Sequence, residues 1–244
     1  MMGKTNENSG RRPVGDGLFH SIEETFGQIV HEGKNHLGPI KGYASLVQDG
    51  TEDESNTRRW ADKIMHNVEQ MERYFERISM LRMEGATARS ETSWQVIINR
   101  VVDQCAFVNK RAVEIVVENE SAGMFVQRSE LIARALFQCV RNACESVRGD
   151  GKVRIHVTEN RIAGESGIVR EFTVKVSDGG CGIEGDKTNL IWRPFYTTKH
   201  GHIGLGMPYV AMAAPVIGMN VDIESVPDHG TTVTLILQEQ GGHL

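Results

Sequence analysis

The chain has 244 residues, 39% of them hydrophobic and 24% charged, with a net charge of −5. That is ordinary for a globular protein of one large or two modest domains, and it is enough chain to bury real cores. The acidic balance argues against a nucleic-acid binder, which usually carries a basic excess. No run approaches the roughly 18 apolar residues of a membrane span, and the start lacks an apolar signal core.

Residues 1–17 are polar and Gly-rich and read as a disordered tail, too short to be a sensing domain. From Phe19 to Val47 the pattern is helical. Its seam is Ile22, Phe26, Ile29, Gly33, His36, Ile40, Tyr43 and Val47, in steps alternating four and three, as in a helical bundle. A polar run, Asp49–Asn56, interrupts it. A second helix over Thr57–Met83 repeats the spacing at Ile64, Val68, Met71, Phe75 and Ile78. Two antiparallel helices cannot bury such seams alone, so the spacing predicts a homodimeric four-helix bundle. In this register His31 falls five positions after Phe26, off the seam and towards solvent. Asn35 lies one turn further along the same face and Glu32 beside the imidazole.

Glu84–Glu91 has linker character, placing a helical hairpin at 18–84, a linker at 85–92 and a second domain at 93–240. Ser93 is positioned to cap a helix reaching Lys110, with Ile97, Val101, Cys105 and Val108 on one face. Strands are predicted at Val113–Val117, Val153–Val157, Phe172–Val176, Val221–Ile223 and Thr231–Leu237, with helices at Ser129–Val147 and Met207–Ile217. Such a mixture reads as a two-layer α/β sandwich. The cysteines, Cys105, Cys139, Cys144 and Cys181, lack paired metal spacing and read as buried thiols.

The chemistry-bearing residues cluster in this second half. Gln138 and Asn142 stand one helical turn apart, and amide oxygens on one face can ligate Mg²⁺ bridging nucleotide phosphates. Asp178 ends a strand and meets three glycines in five residues. Its carboxylate can accept an adenine amine, while Gly180 and Gly182 let backbone approach the base. Gly204 and Gly206 open a helix whose free N–H groups favour phosphate, and Lys199 supplies a point charge for β/γ oxygens. Phe195 reads equally as a hinge anchor for a lid or as core packing.

Together these stretches resemble the transmitter portion of two-component sensor histidine kinases. His31-Glu-Gly-Lys-Asn35 with Pro39–Leu46 resembles the H box, and Asn142-Ala143 the N box. Asp178-Gly-Gly-Cys-Gly182-Ile183 resembles the G1 box, Pro194-Phe-Tyr196 the F box, Gly204-Leu205-Gly206 the G2 box, and Gly230-Thr231-Thr232 the closing strand. The resemblance runs from about residue 20 to 238 and implies a HisKA-like dimerisation hairpin followed by a Bergerat (GHKL) ATP-binding domain.

That resemblance implies His31 as phosphoacceptor, Glu32 as the base that withdraws its proton, and Asn35 as the position that orients water for phosphatase action. It implies Asn142 and Gln138 at Mg²⁺. Asp178 would hold the adenine, and Gly180, Gly182, Lys199, Gly204, Leu205, Gly206 and Thr231 the rest of ATP. The implied activity is ATP-dependent autophosphorylation in the cytoplasm, then transfer to an Asp of a response-regulator receiver domain. Three positions depart from the pattern: His36 replaces a proline, Gln138 an asparagine and His202 a glycine. ATP-hydrolysing relatives carry Glu where Gln138 stands, so its absence favours transfer to His31 over water. The competing expectation is a phosphotransfer or scaffold protein with a degenerate nucleotide domain; an ATPase of another kind leaves the His31 helix unexplained.

Overall fold

The computed structural model describes residues 31, 33–47, 49, 54–79, 92–108, 113–121, 125–126, 128–164, 167–199 and 202–240. The N-terminal tail, the seam residues Ile22, Phe26 and Ile29, Glu32 and the linker at 84–91 lie outside them. Helix α1 takes in residue 31 and residues 33–47, and α2 is Glu54–Ser79. The ring of His36, early in α1, lies 5.6 Å from that of Tyr74, late in α2, so the two helices run antiparallel. Gly33 is buried, and His36, Ile40, Tyr43, Ile64, Val68, Met71 and Ile78 are half-buried, as the periodicity predicts.

Two seam positions differ. Val47 is exposed, and so is Phe75, at 52%, while its neighbour Tyr74, which the spacing passes over, is 5% exposed. Besides meeting His36 of α1, the Tyr74 ring stacks on Phe195 of the second domain, centroids 6.3 Å apart and 24° between planes. A heptad pattern reports contacts between helices and is blind to this one.

The second domain begins with β1 (Thr92–Ser93) and α3 (Trp94–Val108). Ser93 caps α3, its Oγ accepting the Val96 N–H at 3.4 Å. There follow β2 (Glu114–Asn119), β3 (Phe125–Val126), α4 (Ser129–Ser146), β4 (Lys152–Gly164) and β5 (Gly167–Asp178). After a 3₁₀ turn at Leu190–Trp192 come α5 (Gly206–Ile217), β6 (Met219–Val226) and β7 (Gly230–Gln240). Five strands form one sheet in the order β2-β4-β5-β7-β6, parallel only between β2 and β4, and β1 pairs with β3 in a separate ribbon.

Along the sheet, alternate residues such as Val153, Ile155 and Val157 of β4 and Phe172, Val174 and Val176 of β5 are buried. That period of two presents one apolar face, which α3, α4 and α5 cover with Ile98, Val101, Leu131, Leu136, Val140 and Val210. The predicted two-layer sandwich is therefore the observed one. Cys105, Cys139 and Cys144 lie within its core as free thiols. Burial pushes the first two up to about 12, which keeps them uncharged and unreactive. Cys181 corrects the expectation of four buried thiols, for it is only half-buried on a pocket wall.

Candidate nucleotide site

Asp178 and Thr231 are cross-strand partners where β5 ends and β7 begins. The register therefore delivers a carboxylate and a hydroxyl to one end of the sheet. A cavity of about 690 Å³ opens there between the sheet, α4 and the N-terminus of α5. It is lined by Asn142, Asp178, Gly182, Lys199, Gly204, Leu205, Gly206 and Thr231, so eight of the residues singled out from sequence converge on one volume of ligand size.

Burial raises the Asp178 carboxyl above its usual range. The Gly180 N–H, the Ser146 hydroxyl, the Thr231 backbone and the Lys199 charge pull in the opposite direction. The Gly180 N–H donates to Asp178 Oδ1 at 2.8 Å. A carboxylate held this way on a half-apolar wall is a suitable acceptor for an exocyclic amine.

Gly180 does not do what its position suggested. It is absent from the cavity wall, and a Cβ there would fall 2.5 Å from the Ser146 carbonyl oxygen. It is a glycine because the loop must pass the C-terminal end of α4. Gly182 (φ 64) and Gly204 (φ 72) do line the cavity and require the left-handed region; a side chain at Gly204 would meet the Tyr196 carbonyl. Hydrogen bonds that no motif announces hold the loop after Asp178: Ile183 N–H to Ser225 Oγ at 2.8 Å and Asp228 N–H to the Cys181 carbonyl at 2.8 Å.

At the other end of the cavity α5 starts on Gly206 with Leu205 as its N-cap. Pro208 has no N–H, so the free donors of the first turn are those of Gly206 and Met207, both on the cavity wall. Lys199 Nζ donates to Glu145 Oε2 at 2.8 Å and to the Asn142 carbonyl at 3.3 Å. Glu145 also faces His202 Nδ1 at 3.7 Å and Arg141 Nε at 3.7 Å. Sequence reasoning missed Glu145 entirely, although it lies one turn beyond Asn142 on the same helix.

Gln138, expected beside Asn142 as a magnesium ligand, is buried (5% exposed), and its side-chain oxygen lies 3.1 Å from where a Cβ on Gly206 would stand, against the start of α5 and behind the cavity wall. Asn142 alone of the pair reaches the nucleotide-sized volume. Its amide oxygen and the Glu145 carboxylate are hard oxygen donors on the α4 side of the cavity, a chemistry that fits Mg²⁺. His31 and Asn35 stand exposed on α1, as their register implied, and are not part of the cavity lining.

Phe195 takes the core-packing role of the two that were expected. It packs on the domain core and stacks on Tyr74, while its backbone holds φ 64, unusual for a non-glycine. Its N–H donates to the Gly204 carbonyl at 3.0 Å, which ties the hairpin contact to the glycine loop. Among the described residues no helix is long and apolar enough to cross a membrane.

Residues 126–241 match the family of histidine kinase-, DNA gyrase B- and HSP90-like ATPases. Over 227 residues the chain is 24% identical to the signal transduction histidine-protein kinase AtoS of Escherichia coli K12; this covers 89% of the chain and 35% of AtoS. The chain thus spans about a third of that relative's length. Among solved structures, the mycobacterial sensor histidine kinase MprB superposes with a TM-score of 0.53 at 18% identity, over 62% of this chain and 97% of that one. The Acinetobacter baumannii histidine kinase AdeS superposes with a TM-score of 0.51 at 17% identity, over 85% and 96%. Residues 126–241 thus form an ATPase domain of this family, which implies ATP binding, and the chain's relatives are sensor histidine kinases.

Proposed function

We propose that this chain is an ATP-dependent protein histidine autokinase that passes its phosphoryl group to an Asp of a response-regulator receiver domain. The observation that carries the reading is the pairing of two separate parts. One is a cavity walled by Asp178, Asn142, Lys199 and the N-terminus of α5; the other is a helix that presents His31 to solvent. An exposed imidazole on a bundle helix has no packing reason to be there, and a nucleotide domain needs an acceptor.

In this reading Asp178 accepts the adenine amine, Lys199 and the α5 N–H groups take the phosphates, and Asn142 holds Mg²⁺. The metal, when bound, neutralises charge on the transferring phosphoryl group. A ring nitrogen of His31 forms the new bond to the γ-phosphorus while the bond to the bridging oxygen breaks and ADP leaves. Glu32 receives the imidazole proton. Catalysis is then chiefly positioning and electrostatics. Gln138, rather than a carboxylate, supports transfer to His31 over hydrolysis, since an amide cannot take a proton from water. Asn35, exposed one turn from His31, is the candidate for orienting water when the partner is dephosphorylated. Leu37, Leu46, Met65 and Phe75, large apolar side chains exposed on the hairpin, support association with a second copy. The setting is the cytoplasm, where ATP and receiver domains meet.

The test is incubation of the whole chain with γ-labelled ATP and Mg²⁺, comparing it with His31→Gln. Acid-labile, alkali-stable label that disappears in the variant is expected. A folded, nucleotide-binding protein that takes up no label refutes the autokinase.

A further inference from the structure

Two basic side chains and a histidine of the nucleotide cavity converge on a single carboxylate. Glu145 Oε2 accepts from Lys199 Nζ at 2.8 Å and faces His202 Nδ1 at 3.7 Å, while its Oε1 faces Arg141 Nε at 3.7 Å. All four residues line the cavity. Only the lysine is close enough to donate a hydrogen bond; the other two contacts are longer than hydrogen bonds allow. One carboxylate thus stands against two permanent positive charges and an imidazole, and it leaves two of the three without a hydrogen bond.

Arg141 is the least satisfied of the three. It precedes Asn142 on α4 and no sequence motif singles it out. Its Nε is buried and has no hydrogen-bond partner among the described residues, an arrangement that native proteins seldom leave without a reason. Its Nη2 lies 3.4 Å from where a Cβ on Gly206 would stand, which sets the guanidinium beside the first turn of α5, whose free N–H groups favour phosphate. The Cζ atom lies 5.6 Å from the centre of the Phe137 ring, a contact that steadies the fork. A guanidinium placed here, and matched only by one distant carboxylate oxygen, suits an anion with more oxygens than Glu145 has.

We propose that Glu145 is an internal stand-in for the terminal phosphate of ATP, and that Arg141, with Lys199 and His202, recognises that phosphate once it displaces the carboxylate. The proposal rests on the reading of this cavity as the ATP site. A carboxylate brings two oxygens and one charge, whereas a terminal phosphate brings three oxygens and about two charges. An arginine fork matches two such oxygens at once. The exchange therefore gives Arg141 and His202 the hydrogen bonds that their long contacts with Glu145 do not. No covalent bond changes in it. ADP lacks the terminal group, so its binding leaves Glu145 on its three partners. Arg141 is thus a specificity residue, setting the preference for ATP over ADP, and Glu145 is the competitor that the terminal phosphate must outbid.

The full chain and its variants are titrated calorimetrically with a non-hydrolysable ATP analogue and with ADP, both with Mg²⁺, beside a thermal melt of each. Arg141→Met should weaken the analogue roughly tenfold or more, the loss of a charged hydrogen bond, and ADP less than about threefold. Arg141→Lys keeps the charge but not the fork and should fall between parent and Arg141→Met; it decides the matter if Arg141→Met does not fold. Glu145→Gln is titrated in EDTA, where a role as metal ligand cannot contribute. It should bind the analogue roughly three- to tenfold more tightly than the parent does, and ADP within about twofold of it. Equal losses of analogue and ADP in a folded Arg141 variant, or no loss of either, overturn the proposal. So does a Glu145→Gln protein that binds the metal-free analogue no better than the parent. A parent that binds neither nucleotide refutes the ATP site itself, whereas a parent that binds both, in a ratio these variants leave unchanged, refutes this proposal alone.

Discussion

Replacing Asp178 by Asn separates a binding role from a structural one. The amide is isosteric, and its oxygen can keep the 2.8 Å bond from the Gly180 N–H. What is lost is the charge, and burial already disfavours that charge in the fold. The substitution should therefore leave Tm unchanged within about 2 °C or raise it, since a neutral group is cheaper to bury. Adenine recognition should fare differently. A hydrogen bond from an exocyclic amine to a carboxylate contributes roughly 1.5–3 kcal/mol. At about 1.4 kcal/mol per factor of ten, Kd for ATP should rise roughly 10- to 150-fold. Calorimetric titration of both proteins with an ATP analogue, beside a thermal melt of each, makes the comparison. An unchanged Kd removes Asp178 from the base-binding role. A fall in Tm of more than about 5 °C, with binding lost in parallel, makes it a structural residue instead.

The same carboxyl gives a pH dependence. Its folded-state value lies above the ordinary 3.8, so its contribution to stability is fully present below 3.8 and is lost as pH rises through the folded value. Adenosine, whose exocyclic amine donates more strongly to an ionised carboxyl than to a protonated one, should bind more tightly as pH rises through that same window, then level off; affinity that stays flat as pH rises from 3.8 contradicts this. Lys199→Ala should weaken ATP roughly fivefold or more while leaving adenosine unaffected if, as proposed, Lys199 serves the phosphates and not the base; equal losses for both ligands would mean the lysine only holds Glu145 in place. Gly204→Ala should lower Tm by several degrees, since left-handed strain alone costs on the order of 1–3 kcal/mol and the new Cβ meets the Tyr196 carbonyl; a variant that melts with the parent sinks the steric argument.

Much of the second domain was legible because burial on one face imposes a period. Ser129–Ser146 and Gly206–Ile217 match their predicted helices to within a residue, and all five predicted strands belong to the main sheet. What escaped has local physical causes. The β1–β3 ribbon consists of two-residue strands, too short to show alternation. The β4–β5 hairpin extends past its apolar stretch to Gly164, held by cross-strand pairing of residues such as Asn160 with Glu171, which sequence alone does not register. Among site residues, the motif glycines identified the loops but not their reasons, as Gly180 shows. Glu145, Ser146 and Ser225 were invisible because their roles come from neighbours distant in sequence: Lys199, Asp178 and Ile183.

Tyr74 and Phe195 join the two halves of the chain at one of three left-handed non-glycine residues among those described. Left-handed backbone in a bulky aromatic costs on the order of 1 kcal/mol or more and persists only where surroundings over-determine it. The surroundings here are the Gly204 carbonyl, which accepts the Phe195 N–H, and the Tyr74 ring, which stacks on its side chain. An aromatic pair of this kind contributes about 0.5–1.5 kcal/mol, comparable with the strain it helps to hold. The conformation of Phe195 therefore depends on α2 on one side and on the glycine loop of the nucleotide cavity on the other. Any rearrangement that parts Tyr74 from Phe195 removes one restraint on a strained residue whose own hydrogen bond ends on the cavity wall. The hairpin and the nucleotide site are in this way mechanically continuous through Tyr74, Phe195 and Gly204.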